Sequence, residues 1–164
     1  MGADPVTVIV DVANVMGSRP DGWWRDRAGA AVRLYEDVAR LAASGRTGLP
    51  PGVLSSGEGD ASGEPASGEP SPGDPPGFVM VLEGAARAAA ARLTAEPLAD
   101  AAPAPGEVRV VQARGSGDDA IVDVARKLPG QRLVVTADRE LRRRCEAAGA
   151  AIAGPGWLLG QLRR

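Results

Sequence analysis

Short runs of β-branched and other apolar residues recur along the chain, separated by stretches in which apolar positions return every three or four residues. The first run, VTVIVD at 6–11, reads as a strand. A helix is predicted over 24–43, where Ala31, Leu34, Val38 and Leu41 fall on one face. FVMVL at 78–82 is a second strand, followed by Glu83-Gly84 and an alanine-rich helix over 85–94, and the third strand is 108–112. A helix starting near Asp118 buries Ile121, Ala125 and Leu128 and stops before Pro129-Gly130, as helices commonly do. LVVTA at 133–137 is the fourth strand, 139–148 a helix with Leu141, Cys145 and Ala148 inward, 151–153 a weak fifth strand and 157–162 a last turn of helix. Continuous apolar strands alternating with helices are the pattern of a parallel sheet covered on both faces, so the class is α/β with about five strands.

Two stretches interrupt this rhythm. Residues 55–76 repeat SGE three times and contain no Leu, Ile, Val or aromatic residue, so they cannot contribute a core. Residues 57–74 carry five acids and no base; in a chain of net charge −2 this leaves the remainder mildly basic, at +3. The stretch reads as an insertion loop, or as a tether that competes with an anionic ligand. A second connection, rich in Ala and Pro, covers 95–106. With 164 residues, the expectation is a single domain over 1–164 with its disordered acidic insertion at about 55–76.

Composition narrows the chemistry mainly by what is missing. There is no histidine, which excludes Ser/His/Asp hydrolysis, Cys/His proteolysis and His-ligated zinc. The single cysteine, Cys145, excludes an intrachain disulfide and reads as packing. Thirty alanines leave only 34 Leu, Ile, Val and Phe for the core. Eighteen arginines against one lysine look like the bias of a GC-rich genome, so arginine abundance by itself says little about nucleic acid. No apolar run approaches the roughly 20 residues of a membrane span, and the N-terminus lacks a signal-peptide pattern; the expected location is cytoplasmic, with no membrane partner.

In open parallel sheets ligands gather at the carboxyl ends of the strands. Those ends carry Asp11, Glu83, the pair Asp118 and Asp119, and Asp138. Placing acids at the edge of a core is costly unless a cation or hydrogen bonds balance them. With oxygen the only donor type available, a hard ion, Mg²⁺ or Mn²⁺, is the expected cofactor.

Three of these segments, Asp11-Val-Ala-Asn14, Ser116-Gly-Asp118-Asp119 and Thr136-Ala-Asp138-Arg139 followed by Leu141 and Gly149-Ala150, together resemble the PIN-like nuclease superfamily, in particular its NYN branch. Residues 18–31 (SRPDGWWRDRAGAA) are similar to small bacterial NYN-type proteins. The resemblance implies a three-layer α/β/α sandwich around a mostly parallel sheet, and a metal-dependent ribonuclease site. It implies that Asp11, Asp118, Asp119 and Asp138 are the catalytic, metal-binding set. Asn14 would hold substrate or orient Asp11, with Ser116 and Thr136 as supporting hydrogen-bond donors and Arg139 beside the substrate. Glu83 is a further candidate ligand, although the family often has Asp-Gly where this chain has Glu-Gly.

Each residue also has a structural reading. Asp118 and Asp138 suit helix N-caps, and Asp11 suits a turn. Trp23 and Trp24 suit packing at a helix entry, or stacking on a base, with Arg19, Arg25 and Arg27 nearby. Residues 132–164 hold seven bases against three acids, a basic edge suited to a phosphodiester backbone or simply a solvated surface. Ser116 and Gly117 at a helix start could also receive a phosphate. The expected activity is phosphodiester hydrolysis of RNA. A nucleoside triphosphate pyrophosphohydrolase using the same acids, and a non-catalytic RNA- or nucleotide-binding module, are the alternatives; the oligomeric state is left open.

Overall fold

Every residue of β1 (Val6–Asp11) after Val6 is buried, because β1 is the middle strand of a five-stranded parallel sheet. The structure is a computed structural model that describes residues 6–20, 22–45, 47–50, 75–89, 93 and 102–163. The strand order is β3-β2-β1-β4-β5, where β2 is Gly77–Leu82, β3 Val108–Gln112, β4 Gln131–Val135 and β5 Ala151–Ala153. β1 pairs with β2 from Thr7 opposite Gly77 to Asp11 opposite Val81, and with β4 from Val6 opposite Gln131 to Val10 opposite Val135. These registers bring the carboxyl ends of β1, β2 and β4 to one edge.

Alternate side chains of a strand point to opposite faces, and two separate cores result. Val8, Val10, Phe78, Met80, Leu82, Leu133 and Val135 pack on one face, against α2 (Arg27–Ser44) through Ala31, Leu34 and Val38 and against Leu158 of α5 (Pro155–Leu162). Ile9, Val79, Val81, Val111 and Val134 pack on the other, against α3 (Gly117–Lys127) through Ile121 and Ala125 and α4 (Arg139–Ala147) through Leu141 and Cys145. The protein is thus an α/β/α sandwich, as expected. From β1 the chain steps outward to β2 and β3, then returns across the sheet to β4 on the other side of β1. Right-handed crossovers put helices of opposite stepping direction on opposite faces.

The elements differ from the sequence expectation in ways that have local causes. Between β1 and α2 lies a six-residue helix, α1 (Val12–Gly17), which the hydrophobic pattern did not announce; the Asp11 carboxylate caps it by accepting the Asn14 N–H. The long helix begins three residues late, because Asp26 caps α2 by accepting the Gly29 N–H at 2.9 Å; Trp23–Arg25 form a separate 3-10 turn. Ahead of β3 the alanine-rich segment opens as a 3-10 helix, Gly84–Ala89, whose spacing of three residues per turn aligns buried Ala86 and Ala89. The rest of that predicted helix, apart from Leu93, lies outside the described residues, as do 55–74 of the acidic stretch and 95–101 of the second connection. β4 runs two residues earlier than expected, leaving Thr136 and Ala137 free to turn toward β1, although the Thr136 N–H still bonds the Ala153 carbonyl.

Candidate active site

The step from β1 to β2 runs one way and the return to β4 the other, so the gap between the ends of β1 and β4 is the topological switch point. Asp11 ends β1 there, 7% exposed. One of its oxygens accepts the Thr136 hydroxyl at 3.0 Å, across 125 residues of sequence, and the other accepts the Asn14 N–H at 3.3 Å. The Thr136 hydroxyl in turn accepts the Asp138 N–H at 3.2 Å, and the Asn14 side-chain oxygen accepts the Ala137 N–H at 2.8 Å. The two strand ends are therefore laced by two hydrogen bonds, Thr136 to Asp11 and Ala137 to Asn14, and two local bonds brace them. Thr136 thus holds one oxygen of Asp11. Asn14 orients Asp11 through its backbone, while its side-chain carbonyl fixes the loop after β4.

Burial pushes the Asp11 carboxyl up to about 6, against the lowering effect of the Thr136 and Asn14 hydrogen bonds; the Glu83 and Asp118 carboxylates raise it further. Asp118, partly buried, is likewise shifted upward, first by its own desolvation and then by Asp138 and Glu83. Asp11, Glu83, Asp118 and Asp138 thus share one electrostatic field at the sheet edge. They come from four segments that only the strand order brings together.

Several expectations are revised by the geometry. Asp118 is not the cap of α3: Ser116 is, accepting the Asp119 N–H at 3.2 Å, which leaves the Asp118 carboxylate without a capping duty. Asp138 does cap α4, accepting the Leu141 N–H at 2.9 Å through one oxygen. Asp119 pairs with Arg144 on α4 at 2.7 Å and is mostly solvated, while its charge still helps to raise Asp118. Glu83 spends one oxygen on the Gly117 N–H at 2.6 Å, which ties the end of β2 to the start of α3. The same bond engages the Gly117 N–H at the helix start, one of the groups that could have received a phosphate. Gly117 is what permits it, because a Cβ there would sit 2.3 Å from a Glu83 carboxylate oxygen. Arg139 is exposed at the start of α4.

Three of the seven bases of the expected basic edge are internal wiring, while Arg139, Arg143 and Arg163 are exposed. Arg132 donates to the carbonyls of Ala125, Ala148 and Gly149, Arg142 donates to the Thr136 carbonyl at 2.9 Å, and Arg144 holds Asp119. Arg19 is likewise paired with Asp37 at 2.8 Å. Trp157 donates its indole N–H to the Gly48 carbonyl at 3.1 Å, so it fastens α5 to the segment after α2. Sequence reasoning missed the Asn14 side-chain bond and the Glu83–Gly117 link; the adjacency of Glu83 to a strand end and of Gly117 to a helix start was the available signal.

No family model matches the chain, and no curated protein matches it in sequence. In structure it is similar to Rae1 (YacP) from Bacillus subtilis, whose crystal structure was solved as a mutant. The TM-score is 0.54 at 13% identity, over 96% of this chain and 74% of that one. The two share a fold, a parallel sheet flanked by helices. At this identity the likeness is one of architecture, so the chemistry must be argued from the residues.

Among the described residues, no helix is long and apolar enough to cross a membrane. Also among them, no three acidic or thiol side chains stand close enough together to enclose a metal ion by themselves. The donor set still suits a hard cation, because Mg²⁺ takes oxygen ligands and is usually held by one or two carboxylates, with waters and substrate phosphates completing the shell. Asp11 and Asp118, desolvated and raised by their neighbours, are the carboxylates whose ionised forms gain most from such an ion.

Proposed function

We propose that the protein is a Mg²⁺- or Mn²⁺-dependent phosphodiester hydrolase that cleaves RNA, a ribonuclease of the PIN-like, NYN type. The observation that carries this reading is the buried Asp11 at the switch point, held at about 6 by desolvation and by the Glu83 and Asp118 carboxylates. A structural Asp at a strand end has no reason to sit among other acids; a carboxylate that receives a cation does. The sequence motifs and the architecture shared with Rae1 support the same reading.

In it, Asp11 and Asp118 hold the ion, with Asp138 adjoining. When bound, the ion supplies polarisation of the phosphate and a more acidic water. The chain's own part is orientation. Thr136 and the Asn14 N–H fix both oxygens of Asp11, and Ser116 starts α3 so that Asp118 is presented without a capping bond. Asp138 keeps one oxygen for its cap, and its other oxygen is available to orient water. Glu83 anchors α3 and adds negative charge, and Asp119 serves mainly to dock α4 through Arg144.

The test is cleavage of labelled single-stranded RNA by purified protein in Mn²⁺ or Mg²⁺, with Asp11→Asn and Asp118→Asn as separate controls and nucleoside triphosphates tested in parallel. Metal-dependent RNA cleavage that falls at least a hundredfold in both variants is expected. Pyrophosphate release without RNA cleavage would replace the substrate, and turnover equal in wild type and variants would sink the reading.

A further inference from the structure

Among the described residues, Trp24 is the one large hydrophobic side chain left exposed, at 58%. Neither core accounts for it. Its neighbour Trp23 does pack against the face that contains α2, and it meets Trp24 edge-on, with ring centroids 6.2 Å apart at 89°. Trp23 is therefore the anchor, and Trp24 is held outward on it. The guanidinium of Arg25 lies 5.9 Å from the Trp24 ring and that of Arg27 5.4 Å from the Trp23 ring. Asp26 between them is engaged as the cap of α2.

The position matters as much as the exposure. Asp11 caps the start of α1, and Gly17, the last residue of α1, lies against the Trp23 ring: a Cβ there would be 3.8 Å from it. Six residues of helix rise about 9 Å. The indole pair thus stands one short helix away from Asp11.

We infer that Trp24, flanked by Arg25 and Arg27, is a stacking platform for a nucleobase of single-stranded RNA whose scissile phosphate lies at Asp11. This rests on the proposed function and names where the substrate is gripped. A lone indole with two guanidiniums is much smaller than the roughly 800 Å² per partner that a stable protein interface buries, and its chemistry is that of nucleic acid: an exposed indole for a base, cations for the phosphates on either side. A duplex offers no free base face, so the platform selects single strands.

The experiment titrates wild type, Trp24→Ala and Trp24→Phe with a labelled 2′-O-methyl octaribonucleotide in Mn²⁺, single-stranded and as a duplex, with sedimentation of each protein and circular dichroism to verify folding. Trp24→Ala is expected to bind the single strand about tenfold more weakly, Trp24→Phe to recover most of the loss, and duplex binding to stay unchanged. Unchanged single-strand affinity in Trp24→Ala overturns the platform, as does an equal loss for the duplex. Conversion of a wild-type dimer into monomer by Trp24→Ala overturns it too, since the indole would then be covered by a second copy. RNA cleavage by wild type is scored separately. Cleavage with a neutral Trp24→Ala leaves the nuclease reading standing alone, whereas Trp24-dependent binding without cleavage leaves only the platform.

Discussion

Asp11 carries an energetic cost that the rest of the molecule tolerates. Its carboxyl titrates near 6 in the folded protein, against about 4 in an unfolded chain. Between those values the folded state keeps a proton that the unfolded state releases. Asp11 therefore contributes most to stability below about pH 4, and that contribution is lost as pH rises through about 6. Asp118 is shifted in the same direction, and Glu83 bears on both. Replacing Asp11 by Asn removes the titration. In chelator, Asp11→Asn is expected to gain about 1–3 kcal/mol relative to wild type between pH 4 and pH 7.5, read from urea unfolding at the two pH values. An equal difference at both would mean that burial does not burden this carboxylate. Cys145 illustrates the opposite outcome of burial. It is fully enclosed and its thiol is pushed up to about 11, so it is a packing residue, as expected from its isolation in the sequence. It should react with a thiol reagent at neutral pH only at the rate of unfolding.

At the scale of elements, the Glu83–Gly117 bond joins β2 to α3 and makes a sharper prediction than either residue alone. Glu83→Ala leaves the first N–H of α3 without its acceptor and is expected to cost about 1 kcal/mol. Gly117→Ala drives a Cβ into the Glu83 carboxylate and should cost a similar amount by displacing it. Once Glu83 is gone, however, the space is open and alanine is the better helix residue. The double variant should thus be more stable than Glu83→Ala, with a coupling of at least 0.5 kcal/mol in a thermodynamic cycle; strict additivity would show that the contact is inconsequential. Elements were legible in the sequence where local pattern decides them. β1, β3 and β5 have the bounds that their apolar runs announce, and α3 ends at its Pro-Gly. α1 was hidden because its apolar positions, Val12, Val15 and Met16, span barely a turn and a half and follow the strand with only Asp11 between. The start of α2 was misplaced because Trp23 and Trp24 look like its first apolar turn, whereas the Asp26 cap sets the boundary. The 3-10 character of Gly84–Ala89 could not be read from alanines, which favour the α-helix.

For the whole molecule, the sequence placed acids at strand ends but not their partnership. Asp11 and Thr136 meet only because β4 returns beside β1, a fact about strand order that no local periodicity encodes. The same order gathers the candidates: Asp11, Glu83, Asp118 and Asp138 fall into one field, and Asp119, adjacent in sequence to Asp118, adds its charge to it while pairing with Arg144. A cation at this edge would relieve the mutual repulsion and favour the ionised form of Asp11, so metal binding and proton binding must compete. Near pH 7.5, Mn²⁺ at about a hundred times its dissociation constant stabilises a folded state by about 2.7 kcal/mol, or about 5–10 °C in Tm for a chain of this length. The expected pattern is a shift of that size for wild type and for Asp119→Asn, a smaller one near pH 5 as Asp11 takes up its proton, and little or none for Asp11→Asn. A full shift in Asp11→Asn would put the ion elsewhere and separate the buried carboxylate from metal binding. Loss of the shift in Asp119→Asn would make Asp119 a ligand in spite of its pairing with Arg144.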